Sequence, residues 1–210
     1  MAAWSWRRPV VDEARWLVVD VETSGLDAAR DRLLAIAAIA VHVDWSARRL
    51  AVRVADSFEV VVQQEAPSPR DNILLHGIGV QRQQQGVPAA DALRAFALFA
   101  RHSPLLAFHA AFDQALIGRH ARSTLGAPLR NRWLDIEHLC GVTHPQLRAR
   151  SLDEWLGRFH ILCAARHQAA ADTLAECDLL LRIWPRVAAE CCNWRDVERL
   201  AARHRWVVRG

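Results

Sequence analysis

Two acidic residues, Asp20 and Glu22, stand one residue apart at the end of an apolar stretch that begins at Trp16. In a β-strand, side chains at positions i and i+2 share a face, so we expect the two carboxylates to lie side by side. Adjacent carboxylates repel each other and are costly to desolvate unless a positive charge lies between them. A hard divalent cation, which prefers oxygen ligands, is the simplest such charge. The pair therefore predicts a cation site, since two adjacent acids on one strand face have no common structural use.

Three further residues have types and positions that suit the same site. Asp113 follows a short apolar strand at an expected helix start, where free backbone N–H groups favour a carboxylate. Asp172 lies in a long helical segment, and His167 precedes it by five residues, in the loop that leads into the helix. Each of these residues alone would be an ordinary helix or surface residue, and its significance depends on the motif around it.

Four carboxylates and one imidazole suit a two-metal centre for phosphoryl transfer. Two cations roughly 3.5–4 Å apart can clamp the attacking and leaving oxygens of a phosphodiester. Oxygen-only ligation favours Mg²⁺ or Mn²⁺ over Zn²⁺. An imidazole, which titrates near neutrality, is suited to accept the proton of the attacking water.

Three motifs carry a resemblance to a known family. They are the Val-Asp-Val-Glu-Thr-Ser-Gly-Leu segment at residues 19–26, the His-Ala-Ala-Phe-Asp segment at 109–113, and His167 with Asp172 five residues later. Their order and spacing resemble those of the DEDDh family of DnaQ-like 3′–5′ exonucleases. This family includes the proofreading subunit of bacterial DNA polymerase III, oligoribonuclease and ribonuclease T. The resemblance spans roughly residues 16–184, and three motifs in order are far more specific than the first alone.

The resemblance implies a ribonuclease H-like fold and metal-dependent release of nucleoside monophosphates from a 3′ end. It implies two divalent cations, Mg or Mn, held by Asp20, Glu22, Asp113 and Asp172. It implies that His167 is the general base and that the terminal nucleotide contacts Thr23, Leu26 and His76. The implied partners are the 3′ end of a single-stranded nucleic acid and a polymerase.

DNA is the predicted substrate, because the Trp/Arg-rich N-terminal arm and a long Val-rich strand fit the proofreading branch of the family better. Two alternatives stay open. The first is an RNA 3′–5′ exonuclease of the oligoribonuclease or ribonuclease T type, since sugar preference depends on the pocket around the 2′ position. The second is a non-catalytic nucleic-acid or polymerase-binding module, which the loss of a metal carboxylate would mark.

Bulk composition fits one globular domain without a membrane span. The chain has 210 residues, of which 52% are hydrophobic and 24% charged. Charged or polar residues interrupt its apolar runs and no secretory signal is evident, so we predict a cytoplasmic protein that does not enter a membrane. All basic residues are Arg, and the net charge of +4 permits a polyanionic partner. For the missing Lys, a GC-rich genome that replaces Lys codons is the better explanation.

The elements that must position these residues predict an α/β fold. A meander of three strands over residues 16–62, followed by two further strands near 104–108 and 132–135, predicts a ribonuclease H-like mixed β-sheet with helices on both faces. We expect an N-terminal arm at 1–15, an exonuclease domain at 16–184, and a C-terminal helix at 185–210 packed on it. Pro185 is expected to end the long helix that begins at residue 169. Ser151 is expected to cap a helix with Glu154, and Asp135 and Asp153 are expected to have capping roles at helix starts.

Overall fold

The first three strands form an antiparallel meander, as the apolar patterns predict. In the computed structural model, which describes residues 11–207, β1 (Arg15–Thr23), β2 (Leu33–Asp44) and β3 (Arg49–Val61) pair in sequence order. The third strand of the predicted meander, β3, is interrupted by a bulge opposite Ile39 and Ala40. Most of the predicted arm, with Trp4 and Trp6, lies outside the described residues.

Two short parallel strands complete the sheet and fix the place of the site. β4 (Leu105–Ala107) pairs with β1, and β5 (Trp133–Asp135) pairs with β4, in the order β3-β2-β1-β4-β5. Leu17 lies opposite Leu105 in this register. Because parallel strands end at the same edge of a sheet, the residues after β4 come to lie beside the acids of β1.

Helices cover both faces of the sheet, which confirms the predicted fold class. They are α1 (Arg70–His76), α2 (Val80–Gln84), α3 (Ala89–Ala100), α4 (Ala110–Leu125), α5 (Ile136–Thr143), α6 (Leu152–Arg158), α7 (Ala169–Glu190), α8 (Trp194–Ala202) and α9 (His204–Val207). Alternate residues of β1 face opposite cores: Leu17 packs with α3 and α4, and Trp16 packs with α5, α7 and α8. The sheet is therefore buried on both sides around β1.

The prediction that Pro185 ends the long helix is wrong. Helix α7 continues through Pro185 to Glu190, and the next helix begins only at Trp194. Proline inside a helix costs about 3 kcal/mol. Trp184, directly before the proline, and Val187, two residues after it, are buried in the core, and their burial offsets this cost. The domain boundary predicted after residue 184 therefore falls inside a continuous helix.

No helix within residues 11–207 combines the length and the apolar character that crossing a bilayer requires.

Candidate active site

The acid pair of β1 meets a third carboxylate from α7. Asp20 and Glu22 lie on one face at the end of β1, as the strand period predicts, and both are half-buried. Asp172 is in the first turn of α7 and is buried. One carboxylate oxygen from each of these three residues lies within 4.8 Å of the others. This spacing suits the ligands of one divalent cation.

Asp113 enters the same cavity from α4. It lies in the first turn of that helix and is only 4% exposed. The turn before it is fixed by Asp135, which accepts hydrogen bonds from the backbone N–H groups of His109 and Ala110 at 3.2 and 3.1 Å. Asp135 also caps α5 through the N–H of Glu137, which confirms its predicted capping role. A cap on one helix therefore also orients the start of another.

His167 lies in the loop that leads into α7, as predicted, and its side chain is exposed. Its backbone N–H donates a hydrogen bond of 2.8 Å to Asp172 Oδ2. The residue has φ of +62°, a conformation that is uncommon outside glycine and that occurs often at functional sites. The position of His167 is thus tied to a carboxylate of the predicted metal site.

The turn after β1 forms one wall of the cavity. Thr23 donates its hydroxyl hydrogen to the carbonyl of Gly25, and Leu26 is 94% exposed at the rim. A Cβ at Gly25 would lie 2.6 Å from the carboxylate of Asp31, so any larger residue at this position would displace that side chain. Asp31 in turn accepts a hydrogen bond from Ser24 at 3.0 Å. These contacts hold the turn in place.

The structure brings seven predicted residues together around one cavity of about 520 Å³: Asp20, Glu22, Thr23, Leu26, Asp113, His167 and Asp172.

His76 does not line this cavity. Its side chain is 2% exposed, and its Nε2 is 2.9 Å from Asn72 Oδ1. Its Nδ1 accepts a hydrogen bond from Ile78, and burial lowers the pKa of the ring below its usual value. Asn72 does line the cavity, and its Nδ2 donates to the carbonyl of Thr23 at 2.8 Å. His76 therefore contacts Asn72, one helical turn earlier, rather than the cavity, because α1 directs its own C-terminal residue into the protein.

Comparison with known proteins decides the family. The model of the exonuclease family named RNase_T matches residues 17–180. The chain belongs to this exonuclease family. This confirms the resemblance to the DnaQ-like 3′–5′ exonucleases that the three motifs carry.

Individual members of the exonuclease family support the same assignment. The chain is 30% identical to the DNA polymerase III subunit epsilon-like protein of Rhodobacter capsulatus, over 85% of this chain and 25% of that protein. It is 26% identical to the DNA polymerase III PolC-type of Bacillus subtilis, over 89% of this chain and 12% of that protein. The chain thus spans a quarter or less of the length of these relatives.

A solved exonuclease structure shares the fold. E. coli exonuclease I in complex with a dT13 oligonucleotide aligns with a TM-score of 0.67 and 20% identity, over 83% of this chain and 42% of that chain. This likeness confirms the ribonuclease H-like fold predicted from the sequence.

Among the further residues that line the cavity, four that bear on its chemistry were not predicted as site residues: Asn72, Leu75, Arg166 and Glu176. Two of them carried a signal. Glu176 follows Asp172 by four residues, so it lies on the same face of α7. Arg166 directly precedes His167. The side chains of Asn72 and Leu75 reach the site only because α1 packs against the turn after β1.

Arg166 is the cation nearest to the acids within the described part of the chain. It contacts Asp172 and also forms an ion pair with Asp153.

The predicted capping role of Asp153 is wrong. The N-cap of α6 is Ser151, which accepts a hydrogen bond from the Glu154 N–H, whereas Asp153 forms an ion pair with Arg166. Glu154 accepts from the Arg150 N–H rather than from that of Ser151.

The guanidinium of Arg166 alone does not neutralise the negative charge of the acids in this exonuclease-family site. Burial, followed by the charges of neighbouring acids, raises the pKa of Asp20 to about 8 and that of Glu22 to about 9. Burial and the charge of Asp20 also raise the pKa of Asp113 well above its usual range. The negative charges of these carboxylates exceed the positive charge of Arg166, and divalent cations would supply the difference. The residues present therefore fit the predicted metal centre.

Metal-free protein is expected to lose stability as the pH rises. The pKa values of Asp20 and Glu22, about 8 and about 9 in the folded chain, exceed the values of about 4 expected after unfolding. Between these limits the folded state binds more protons than the unfolded state, so the free energy of unfolding falls with rising pH and levels off above about pH 9. Thermal unfolding in EDTA should show a Tm at least about 3 °C lower at about pH 9 than at about pH 6. A Tm that rises or stays constant over this range would contradict the expectation, whereas added Mn²⁺ should restore the loss.

Arg166→Gln is expected to destabilise the metal-free protein by about 1–3 kcal/mol. The substitution leaves the buried Asp172 without its cation, and the effect is reduced because the Arg166 side chain is 27% exposed. Thermal unfolding in EDTA measures the difference, with exposed Arg158 changed to Gln as the control. Saturating Mn²⁺ should reduce the difference, because the metal supplies the missing positive charge. A difference that persists unchanged with Mn²⁺ would show that Arg166 has a purely structural role.

Proposed function

We propose that the chain is a metal-dependent 3′–5′ exonuclease that releases nucleoside monophosphates from single-stranded DNA. The observation that carries this proposal is the arrangement of Asp20, Glu22 and Asp172, whose oxygens lie within 4.8 Å of one another in an open cavity. His167 lies at the rim of the same cavity. Membership of the exonuclease family supports this reaction type.

Two divalent cations, Mg²⁺ or Mn²⁺, would occupy this cavity. Asp20, Glu22 and Asp172 would hold the first, and Asp20 and Asp113 would hold the second. When bound, such ions activate a water and neutralise the charge that develops on the phosphate. The all-oxygen donor set and the raised pKa values of the carboxylates support hard cations in both positions.

His167 would accept the proton of the attacking water. Its imidazole is exposed in the cavity, where a water can reach it. Its backbone N–H binds Asp172, so the ring stays close to the metal site. A base anchored to a metal ligand in this way is positioned before substrate binds, which reduces the entropic cost of proton transfer.

The 3′-terminal nucleotide would rest on the wall formed by the turn after β1 and by α1. Leu26 and Leu75 provide apolar surface for the base, and both line the cavity although they are 94% and 54% exposed. Thr23 and Asn72 provide polar groups beside them. His76 would keep Asn72 in place from behind rather than contact the nucleotide.

Single-stranded DNA is the proposed substrate class because of the proteins that this chain resembles. The exonuclease I neighbour was solved with a dT13 oligonucleotide, and the two relatives carry names of DNA polymerase III components. The same names support a polymerase as a partner. Size-exclusion chromatography of the chain with a replicative DNA polymerase would test that association.

A gel assay tests the reaction and the substrate together. Single-stranded DNA and RNA of the same sequence, labelled at the 5′ end, are incubated with Mg²⁺, Mn²⁺ or EDTA. We expect a ladder that shortens from the 3′ end of DNA with either metal and no products in EDTA. Preferential shortening of RNA would favour the RNA exonuclease instead. Oligonucleotide binding without cleavage under both metals would favour the non-catalytic module.

A further inference from the structure

Glu176 is a buried acid that the proposed mechanism does not use. It lies on α7 one helical turn after Asp172, on the same face, and its side chain lines the cavity. The residue is only 1% exposed. A carboxyl group at this depth costs several kcal/mol unless a partner compensates for it. Its presence in the cavity wall therefore needs an explanation.

The contacts of Glu176 within the described part of the chain hold one carboxylate oxygen and leave the other without a hydrogen-bond donor. Oε2 accepts a hydrogen bond of 3.2 Å from the backbone N–H of Phe108, at the end of β4. No hydrogen bond to Oε1 and no ion pair of Glu176 is found within residues 11–205. Arg166, the cation of the site, instead binds Asp172 and Asp153. The side chain is thus fixed at one oxygen, and the structure provides no cation for it.

The surroundings of Glu176 show which part of the site it serves. Burial raises the pKa of Glu176 well above its usual range, and the negative charges of Asp20 and then Asp113 raise it further. These two carboxylates are the ones expected around the second cation, whereas Glu22 and Asp172 complete the first. The backbone N–H of Phe108, which binds Glu176, follows β4 directly and precedes Asp113 by five residues, so this contact places Glu176 on the Asp113 side of the cavity.

We propose that Glu176 is a fifth carboxylate of the metal centre, which increases affinity for the second divalent cation together with Asp113. This inference rests on the proposed two-metal function. A purely structural role is served better by other residues, since Gln would accept the same hydrogen bond without a charge and Leu would fill the volume. A carboxylate is useful at this position only when a cation is bound nearby.

Titration with Mn²⁺ alone, without nucleic acid, tests the proposal in the full chain. Isothermal calorimetry compares wild type with Glu176→Gln, which has nearly the same shape and keeps an acceptor for the Phe108 N–H. Asp178→Asn is the matched control, because Asp178 is an exposed acid two residues further along the same helix. We expect two Mn²⁺ sites in wild type and in the control. In Glu176→Gln the weaker site should lose affinity by at least about tenfold, while the stronger site is unchanged.

Thermal unfolding gives a second readout that is independent of activity. In EDTA the Tm of Glu176→Gln should equal or exceed that of wild type, because a buried repulsive charge has been removed. With Mn²⁺ the increase in Tm should be smaller than in wild type. If Glu176→Gln does not fold, Glu176→Asp replaces it and should weaken the second site while the first stays unchanged.

Equal Mn²⁺ titrations of Glu176→Gln and wild type, or a single Mn²⁺ site in wild type, would overturn the proposal. The outcome is separable from that of the proposed function. A wild type that binds two Mn²⁺ ions, loses one with Glu176→Gln and cleaves no oligonucleotide would sustain the fifth carboxylate and refute the exonuclease. If wild type cleaves the oligonucleotide and the Mn²⁺ titration of Glu176→Gln equals that of wild type, the exonuclease is supported and the fifth carboxylate is refuted.

Discussion

Asp20→Asn is expected to reduce the rate of 3′-end cleavage by about 10³-fold or more. Asp20 is the carboxylate that both predicted cations would share, and it has Glu22 and Asp172 within 4.8 Å. Loss of a ligand removes several kcal/mol of charge stabilisation from a metal-assisted reaction, and ~4 kcal/mol corresponds to that factor in rate. Single-turnover cleavage of 5′-labelled single-stranded DNA in saturating Mg²⁺ measures the effect.

The same substitution should leave the fold intact. Asn has nearly the shape of Asp, and it removes a half-buried charge that its neighbours repel. The metal-free variant should therefore unfold at the same temperature as wild type or higher. Asp178→Asn, on the exposed face of α7, is the control and should cleave at the wild-type rate. Retention of more than a tenth of the wild-type rate by Asp20→Asn would argue against Asp20 as a metal ligand.

His167→Gln is expected to reduce kcat by about 10²- to 10⁴-fold while metal binding is little changed. The imidazole is the group expected to accept the proton of the attacking water, and glutamine has no comparable basicity. The backbone N–H of His167, which binds Asp172, is retained in the variant. Steady-state kinetics with single-stranded DNA should therefore show a fall in kcat with KM nearly constant.

A second histidine provides a matched control for this prediction. His160 is exposed and has φ of +54°, close to the +62° of His167, but it lies outside the acidic cavity. His160→Gln should keep wild-type kcat. If both substitutions reduce kcat equally, the cause is strain in the left-handed backbone conformation rather than loss of a base.

Local periodicity and motif spacing were sufficient to predict most of the residues that the structure brings together in the cavity. Strand alternation determines that Asp20 and Glu22 share a face, and the spacing between His167 and Asp172 places one in a loop and the other in a helix. These relations hold within a few residues of chain. The mixed sheet was also predicted from local patterns, because apolar runs of strand length are separated by turns and helices.

The relations that sequence reasoning missed join residues far apart in the chain. His76 was expected in the nucleotide pocket, but the packing of α1 buries it and presents Asn72 instead. The helix through Pro185 continues because Trp184 and Val187 are buried by partners from other elements. The low helix propensity of one residue is outweighed when burial of its neighbours stabilises the helix by more than that residue destabilises it.

The sequence by itself determined the family of this protein, through four acids and a histidine in an order typical of one exonuclease family. Only the tertiary structure decided which side chains complete the site. The parallel register of β1 and β4 brings Asp113 and the Phe108 N–H beside Asp20, and that N–H holds Glu176. Arg166 becomes the counter-ion of the acids only because α6 and α7 converge on it. These contacts depend on strand register and helix packing, which no local pattern of residues specifies.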